Sequence, residues 1–515
     1  MSIDARPPPL DTEGELEMPE TQFDIVVVGG GAAGCVVAAR LAEDASRRVL
    51  LLEAGPDLRA DPPQTILDAW HMTREYDWGY SSEPNATGST QDLRRCKLVG
   101  GTSSVTRFAL RGSPADYDEW EALGNHGWSF DDVLPYFVKL ESDGDFGDRP
   151  WHGDRGPIPV RRYVNEDLAE IGAAAVDALL EMGFPSVDDH NEPGAVGVGR
   201  MPMSSTDGVR VTSASGYLPS ARTPPNLTVV PDTQISDLFF EGGRIAGVRA
   251  VGGSVTRANQ VVLSAGTYGS PMILMRSGIG PADHLRSLGI EVRVDMPGVG
   301  SNLGDHPELD FDCGYSGPVR DSPALHTIAT FRSSFSASKD PPDLMLWVPD
   351  PFSPDGSTSV FEVEVLLLKP RSRGMVRLRS PDPMDPPRIT LPNLSDPIDI
   401  EVLSEGFQVA SELANNSQIR KRCSSSPSNR IDDSEFAQFA RANVWSVPHV
   451  VGTCAMGVRP EDGAVVDALG RVHGMQDLFV VDASIMPTVP SGFTHLPTIM
   501  IAERLSDLIR NPNPG

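Results

Sequence analysis

The chain has 515 residues, of which 39% are hydrophobic and 22% charged, a composition typical of globular proteins with a large buried core. Its net charge of −28 at pH 7 argues against nucleic acid and against anionic membrane surfaces as partners. No apolar run approaches the ~18 residues that a membrane-spanning helix needs, so no integral membrane segment is predicted.

The cysteines and the N-terminal segment indicate the compartment. The five cysteines are scattered and form no C-x-x-C pair, which excludes a disulfide framework and a thiolate zinc site, and no metal site is predicted. Residues 1–22 are acidic and rich in proline, and they lack the basic and apolar regions of a secretory signal. We therefore predict a flexible leader and a cytoplasmic protein.

The first predicted unit along the chain is a strand–helix–strand fold. Asp24–Val28 is a β-branched run suited to a buried parallel strand, and a glycine-rich turn, Gly29–Gly34, follows it directly. Small residues then predict a helix over Ala32–Ala42. Val49–Leu52 predicts a second buried strand that ends at Glu53. This order is typical of a dinucleotide-binding βαβ unit.

Each glycine of the turn has its own expected role. Gly29 makes the tight turn, Gly31 lets the backbone approach a pyrophosphate, and Gly34 lets the helix pack on the strand. The phosphates would lie at the helix N-terminus, where unpaired N–H groups favour anions. Glu53 stands at the spacing of a carboxylate that accepts hydrogen bonds from ribose hydroxyls. These residues leave FAD and NAD open as the dinucleotide.

Further strands are predicted at Leu227–Pro231, Ile245–Ala250, Gln260–Leu263 and Leu478–Val481, and a closing helix at Thr498–Arg510. Residues 143–159 and 349–357 are rich in proline and glycine and predict long loops. Strands mixed with helices over this length indicate an α/β or α+β enzyme.

Four further motifs bear on the choice of dinucleotide. They are Leu98–Ser104; Gly266–Gly280, continued by Gly298–His306; Pro448–Gly457; and Asp482–Ser484, continued by Ser491–Thr498. Together with the glycine-rich turn they resemble the glucose–methanol–choline (GMC) family of flavoprotein oxidoreductases, over about residues 23–509. Thr106 stands where that family has Asn or His, and the loop that follows it is one residue short.

The resemblance implies an α/β fold, with a Rossmann-type FAD-binding domain and an α+β substrate-binding domain on an antiparallel sheet. The FAD-binding domain would comprise residues 23–158, 205–310 and 448–512, and the substrate-binding domain residues 159–204 and 311–447. FAD would be bound non-covalently, because no histidine lies between Gly101 and Gly112.

The resemblance also implies which residues hold FAD. The expected cofactor-binding residues are Gly29, Gly31, Ala33, Gly34, Glu53, Ala54, Gly100, Gly101, Thr102, Ser103, Thr106, Ile235, Ala265, Gly266, Asp482, Ala483, His495, Pro497 and Thr498.

The last two motifs carry the expected catalytic residues. The resemblance places His449 as the general base and His495 as its partner at the substrate oxygen. Oxidation of an alcohol removes an O–H proton and a C–H hydride, and a neutral imidazole is suited to accept the proton. His306 is interpreted as a structural hydrogen-bonding residue, and Cys454 as a small buried one.

Several alternatives stay open at this stage. The electron acceptor is oxygen or a quinone-type carrier, and the substrate is a small alcohol that is cationic, neutral or a polyol. Substrate-selecting residues are expected within 163–203 and 311–447, where Trp347 and Trp445 line a pocket or belong to the core. A lyase, a photodecarboxylase and a non-catalytic flavin-binding partner protein are the competing functions. The sequence leaves the oligomeric state undetermined.

Overall fold

The computed structural model describes residues 23–69, 73–85, 87–163, 168–319, 326–353, 359–392, 394–424 and 433–511. The predicted leader, residues 1–22, lies outside them. The strands are β1 Phe23–Val28, β2 Val49–Leu52, β3 Tyr80–Ser81, β4 Asp92–Leu93, β5 Glu141–Asp143, β6 Ile158–Val160, β7 Ser186–Val187, β8 Gly197–Arg200, β9 Ser205–Thr206, β10 Val209–Arg210, β11 Leu227–Val230, β12 Ile235–Glu241, β13 Arg244–Ala250, β14 Val255–Leu263, β15 Ile279–Gly280, β16 Val294–Asp295, β17 Gly304–Gly314, β18 His326–Phe331, β19 Leu344–Pro349, β20 Val360–Leu367, β21 Met375–Arg377, β22 Arg388–Thr390, β23 Trp445–Val451 and β24 Leu478–Val480.

The helices are α1 Ala32–Leu41, α2 Gln64–Leu67, α3 Pro114–Ala122, α4 Phe130–Leu140, α5 Glu170–Glu181, α6 Ser213–Ala221, α7 Gly266–Arg276, α8 Ala282–Ser287, α9 Pro397–Asn415, α10 Ser417–Arg420, α11 Asp433–Asn443 and α12 His495–Arg510. Short 3₁₀ segments lie at Gly101–Ser104, Pro460–Asp462 and Ala483–Ile485.

The first large sheet is of the Rossmann type. Its strands lie in the order β11-β2-β1-β14-β13-β12, and β24 also pairs with β14. Strands β11, β2, β1, β14 and β24 are parallel, so their carboxyl ends meet at one edge of the sheet. Their β-branched and leucine-rich segments are buried, as expected for a parallel sheet covered by helices. The predicted βαβ unit is confirmed.

The second large sheet has the order β23-β17-β20-β19-β18-β8-β7 and is antiparallel except where β7 meets β8. Helices α5 and α9 cover one of its faces and form a separate hydrophobic core with it. A smaller apolar cluster lies on the opposite face, and it includes Phe108, Phe493 and Leu366. The predicted pairing of a Rossmann-type unit with an antiparallel sheet is confirmed.

The predicted domain boundaries cut through two of these elements. Strand β17 begins at Gly304 and continues to Gly314, so the boundary at 310 falls inside it. Strand β23 likewise spans the boundary at 447. Val376 and Ile389, on β21 and β22, pack in the core of the first sheet although residues 311–447 were predicted to belong to the substrate-binding domain. The boundaries themselves stay a prediction.

A buried ionic network connects the segment around β5 to residues that lead into the second sheet. Arg162 donates to Asp143 at 2.8 Å and to Asp189 at 2.7 Å, and all three side chains are buried. His152 bonds Glu141 at 2.7 Å through Nδ1 and Asp189 at 2.8 Å through Nε2. Burial disfavours the charged form of His152, but the two carboxylates outweigh it and raise its pKa.

No helix among the described residues is both long and apolar enough to cross a membrane.

The network predicts a large stability effect at Arg162. We expect Arg162→Met to destabilise the protein by about 3–5 kcal/mol, because it leaves the buried carboxylates of Asp143 and Asp189 with His152 as their one remaining cationic partner among the described residues. Thermal denaturation of the FAD-loaded protein measures the change. Arg155→Met is the matched control, because Arg155 is 91% exposed in its pair with Asp154 and such surface pairs contribute about 0–1 kcal/mol. Equal losses in the two variants would contradict this account.

Candidate active site

A cavity of about 870 Å³ lies between the carboxyl edge of the first sheet and the second sheet. Its size is that of a small-molecule or cofactor site. Most of the predicted cofactor-binding residues line it: Gly29, Gly31, Ala33, Glu53, Ala54, Gly101, Thr102, Ser103, Thr106, Ile235, Ala265, Gly266, Asp482, Ala483, His495 and Thr498. Gly34, Gly100 and Pro497 are not among the residues that line it.

The glycine-rich turn has the geometry that a pyrophosphate requires. Gly29 has a φ of +99°, which a side chain would strain. A Cβ on Gly34 would lie 1.8 Å from the Gly29 carbonyl oxygen, so this glycine lets α1 pack on the turn. A Cβ on Gly31 would meet no atom closer than the Gly101 Cα at 4.0 Å, and Gly31 borders the cavity. The three glycines therefore fit the roles predicted for them.

The N-terminus of α1 opens into the same space. No side chain among the described residues caps this helix end, so its first N–H groups are available to an anion. Gly101 lies against Gly31, and a Cβ on Gly101 would come within 2.6 Å of the Gly31 Cα. The 3₁₀ segment that starts at Gly101 thus closes over the turn, and the donor set fits the pyrophosphate of FAD.

Glu53 lies at the carboxyl end of β2 and is buried. Its carboxylate accepts hydrogen bonds from the backbone N–H of Gly30 at 2.7 Å and of Gly55 at 2.9 Å. Burial raises its pKa to about 7, against the lowering effect of these N–H groups. A carboxylate has about four acceptor sites, so Glu53 can still accept from a ribose hydroxyl.

Asp482 connects two elements of the fold beside the cavity. It accepts hydrogen bonds from the N–H of Gly266 at 2.9 Å, the hydroxyl of Ser270 at 2.6 Å and the N–H of Ser484 at 2.8 Å. It therefore ties the end of β24 to the first turn of α7. This cluster holds Ala265 and Gly266 at the cavity wall.

His449 and His306 form a directional hydrogen-bond chain at the opposite wall. His306 is fully buried, and its Nε2 lies 3.0 Å from the carbonyl oxygen of Pro490, which can only accept. Nε2 of His306 therefore carries the proton, and its Nδ1 is an acceptor. That Nδ1 lies 3.1 Å from Nδ1 of His449, which must donate. Nε2 of His449 is left as an unprotonated nitrogen.

The surroundings keep these histidines neutral. Burial lowers the pKa of His449 well below 6.5, and the nearby His306 and Arg95 lower it further. Burial lowers the pKa of His306 to about 4 as well. Phe493 covers the His449 ring, with the ring centres 4.4 Å apart. His449 is thus a neutral imidazole with one free lone pair.

Asp305 positions both rings through their backbones. Its Oδ1 accepts from the N–H of His306 at 2.8 Å and from the N–H of His449 at 2.9 Å, and its Oδ2 contacts the Ser446 hydroxyl. Burial raises the pKa of Asp305 to about 7. Asp305 lies inside the motif Gly298–His306, but this role was not predicted from the sequence.

His495 is the first residue of α12 and lines the same cavity as His449. Its side chain is 8% exposed, and its Nε2 has no hydrogen-bond partner among the described residues. Burial lowers its pKa to about 4, so it is neutral. An orphaned buried nitrogen in a cavity wall is suited to bond a substrate atom.

Three acidic residues of the second sheet also line the cavity, and sequence reasoning missed them: Glu308, Asp310 and Glu364. The signal was present in the strict alternation of acidic and apolar residues in Glu308–Asp312 and Phe361–Val365. Such alternation places the acidic side chains on one face of a strand. Trp347 and Trp445 line the cavity too, and Trp445 is 55% exposed.

Comparison with known proteins agrees with this geometry. Family models described as GMC oxidoreductase match residues 23–308 and 370–502. The chain is 36% identical to a 5-(hydroxymethyl)furfural oxidase of a Methylovorus species, covering 96% of this chain and 99% of that protein. It is 35% identical to an oxygen-dependent choline dehydrogenase of Pseudomonas savastanoi, covering 96% and 94%. The crystal structure of pyridoxine 4-oxidase from Mesorbium loti superimposes with a TM-score of 0.87 at 32% identity, covering 94% of this chain and 99% of that one.

The fold and the cavity define an FAD-dependent oxidoreductase that acts on alcohols. The chain belongs to the GMC oxidoreductase family.

The turn geometry predicts a selective loss of cofactor on changing Gly31. We expect Gly31→Leu to fold but to lose FAD, because its side chain enters the cavity rather than the protein core. Glu53→Ala should weaken FAD binding by about 1.5–3 kcal/mol, the loss of a charge-assisted hydrogen bond. The absorbance of FAD per purified chain, before and after acid release, measures both effects. Full FAD content in both variants, or FAD that stays with the acid-denatured chain, would contradict the assignment.

Proposed function

We propose that the chain oxidises a CH–OH group with His449 as the general base and His495 as its partner. The observation that carries the proposal is the hydrogen-bond chain from Pro490 through His306 to His449. This chain leaves Nε2 of His449 unprotonated in the wall of the cavity that the predicted FAD residues line.

FAD, when bound, supplies the hydride acceptor, and the protein supplies binding, orientation and proton transfer. Nε2 of His449 accepts the hydroxyl proton, and the positive charge that develops on this ring is shared through Nδ1 with His306. Nε2 of His495 donates to the same substrate oxygen and stabilises its alkoxide character. Phe493 packs on the ring of the base and shields that part of it from water.

His306 acts through His449 and is a positioning residue. Because its own Nε2–H is held by Pro490, it can only accept from His449, and this determines which nitrogen of the base is free. The cofactor-binding roles of the remaining residues are part of the same proposal. The motif at Thr106 departs from the family, and this side chain lines the cavity directly.

We further propose oxygen as the electron acceptor. Support comes from the names of the relatives, which include a 5-(hydroxymethyl)furfural oxidase, an oxygen-dependent choline dehydrogenase and a pyridoxine 4-oxidase. Enzyme reduced anaerobically by substrate should reoxidise rapidly on exposure to air. Reoxidation by a soluble quinone but not by air would instead assign the chain to the dehydrogenases.

The base assignment predicts the behaviour of the histidine variants. We expect His449→Ala to keep FAD but to slow flavin reduction by alcohol about 10²–10⁴-fold, the usual contribution of a general base. His495→Asn should be slowed less than His495→Ala, because an amide can still donate to the substrate oxygen. Anaerobic stopped-flow reduction by a panel of alcohols measures these rates. A His449→Ala variant as fast as the parent would refute the assignment.

The lowered pKa of His449 predicts the pH profile. Since the base works in its neutral form, reduction should rise with pH as this ring loses its proton and should have levelled off by pH 6.5, the ordinary pKa of histidine. The rate of flavin reduction should therefore decrease only as the pH is lowered into the acid range. Rates of anaerobic flavin reduction across pH test this. A rate that still climbed through neutral and alkaline pH would mean that a different group accepts the proton.

A further inference from the structure

The two faces of the second sheet differ sharply in chemistry. On β17, Leu309, Phe311 and Cys313 point into the apolar core that α5 and α9 cover. The alternate residues of β17 and β20 point the other way, and five of them are acidic: Glu308, Asp310, Asp312, Glu362 and Glu364. We call these five residues the acidic row.

The pairing of the strands places the acidic row side by side. Asp310 lies opposite Glu364, and Asp312 lies opposite Glu362. Glu364 also lies opposite Trp347 on β19. The end of the row nearest the catalytic histidines, Glu308, Asp310 and Glu364, lines the cavity. The carboxyl groups are therefore part of the wall that receives the substrate.

The acidic row begins near His449, the proposed base, and extends away from it along β17. His306, Glu308 and Asp310 are alternate residues of β17, and His306 contacts His449 directly. Two residues of a strand advance by about 7 Å. Glu308 is thus about 7 Å along the strand from His306, and Asp310 about 14 Å. A substrate with its alcohol at His449 would pass both carboxyl groups in turn.

The three carboxyl groups of the acidic row in the cavity outnumber the one arginine, Arg107, that lies beside Glu364. The described residues of the second sheet that line the cavity include no lysine or arginine. Arg107 lines the same cavity, bonds His326 at 2.9 Å and lies near enough to Glu364 to lower its pKa in part. Even so, burial and the neighbouring carboxyl groups raise the pKa of Glu364 and Glu308 well above the ordinary value.

Unused hydrogen-bonding atoms point to a ligand in the same cavity. Nε2 of His495 is buried, in a side chain 8% exposed, and has no partner among the described residues. Oδ1 of Asp310 is buried without a partner as well. One is a nitrogen at the alcohol end and the other a carboxylate oxygen farther along the row. A single elongated ligand would satisfy both.

We propose that the substrate is an alcohol that carries two or more protonated primary or secondary amines, which bind Glu308, Asp310 and Glu364. This inference rests on the proposed function, because the alcohol group must lie at His449. Amine N–H groups donate to carboxylate oxygens and also compensate their charge, whereas neutral hydroxyls do only the first. Trp347 and Trp445 would flank the carbon skeleton and the cations.

The first test compares two amines of equal length on the FAD-loaded enzyme. The probes are 1,5-diaminopentane and 1-aminopentane, which share a carbon chain and differ by one ammonium group. We expect the diamine to bind at least about tenfold more tightly by isothermal titration calorimetry, which corresponds to the gain of one charge-assisted hydrogen bond. An apolar pocket would favour the monoamine instead, so equal or reversed affinities would overturn the proposal.

Variants of the acidic row test whether these carboxyl groups bind the diamine. Glu364→Gln and Asp310→Asn preserve side-chain shape and should each weaken binding of the diamine by about 10- to 100-fold. Glu412→Gln is the control, because Glu412 is exposed on α9, the helix that packs on the opposite face of the same sheet. Full diamine affinity in both row variants would refute the site.

A substrate comparison separates this proposal from the proposed function. An alcohol with two amines should reduce the flavin faster than its di-N-acetyl derivative, which keeps the skeleton but loses both charges. If the neutral derivative reduces the flavin equally well, the acidic row does not select the substrate, and His449 can still be the base. If neither these compounds nor any neutral alcohol reduces the flavin, the proposed function itself fails.

Discussion

The site depends on the pairing of β17 with β23. These two strands come from distant parts of the chain, and their antiparallel register places His306 opposite Val447, two residues before His449. One buried carboxylate, Asp305, then accepts a hydrogen bond from the backbone of each histidine. With both rings held in place, the carbonyl oxygen of Pro490 gives the side-chain bond between them a defined direction, because it can only accept from His306. The choice of the free nitrogen on His449 follows from that direction.

The basic and the acidic side chains that line the cavity come from different elements of the fold. Its five basic residues come from elements outside the second sheet: Arg94, Arg95 and Lys97 follow β4, Arg276 ends α7, and Arg107, which follows the first 3₁₀ segment, bonds His326 on β18. The second sheet contributes carboxyl groups instead. The uncapped end of α1 is suited to an anionic pyrophosphate, whereas the carboxyl groups of the opposite wall are suited to positive charge. Between them lie histidines that burial keeps neutral, which is the state that a proton acceptor requires.

Much of the cofactor half could be predicted from the sequence, because its determinants are local. The turn at Gly29–Gly34 depends on residues that have little or no side chain, and the spacing to Glu53 follows from one helix between two strands. The same holds for His449 and His495, which lie inside recognisable motifs. The role of His306 was predicted only in part: it does form a structural hydrogen bond to Pro490, but its other nitrogen orients His449.

By itself, the sequence determined the βαβ unit, the residues at the carboxyl ends of its strands and a dinucleotide as the class of cofactor, since short-range spacing and backbone geometry specify all three. The tertiary structure decided which of these residues share a cavity, which nitrogen of His449 is free and which face of the second sheet borders the cavity. The alternation in β17 and β20 shows that acidic side chains share a face, but it cannot say which face the helices cover. That depends on where α5 and α9 pack, because burying their apolar surfaces against one face leaves the carboxyl groups turned toward the cavity.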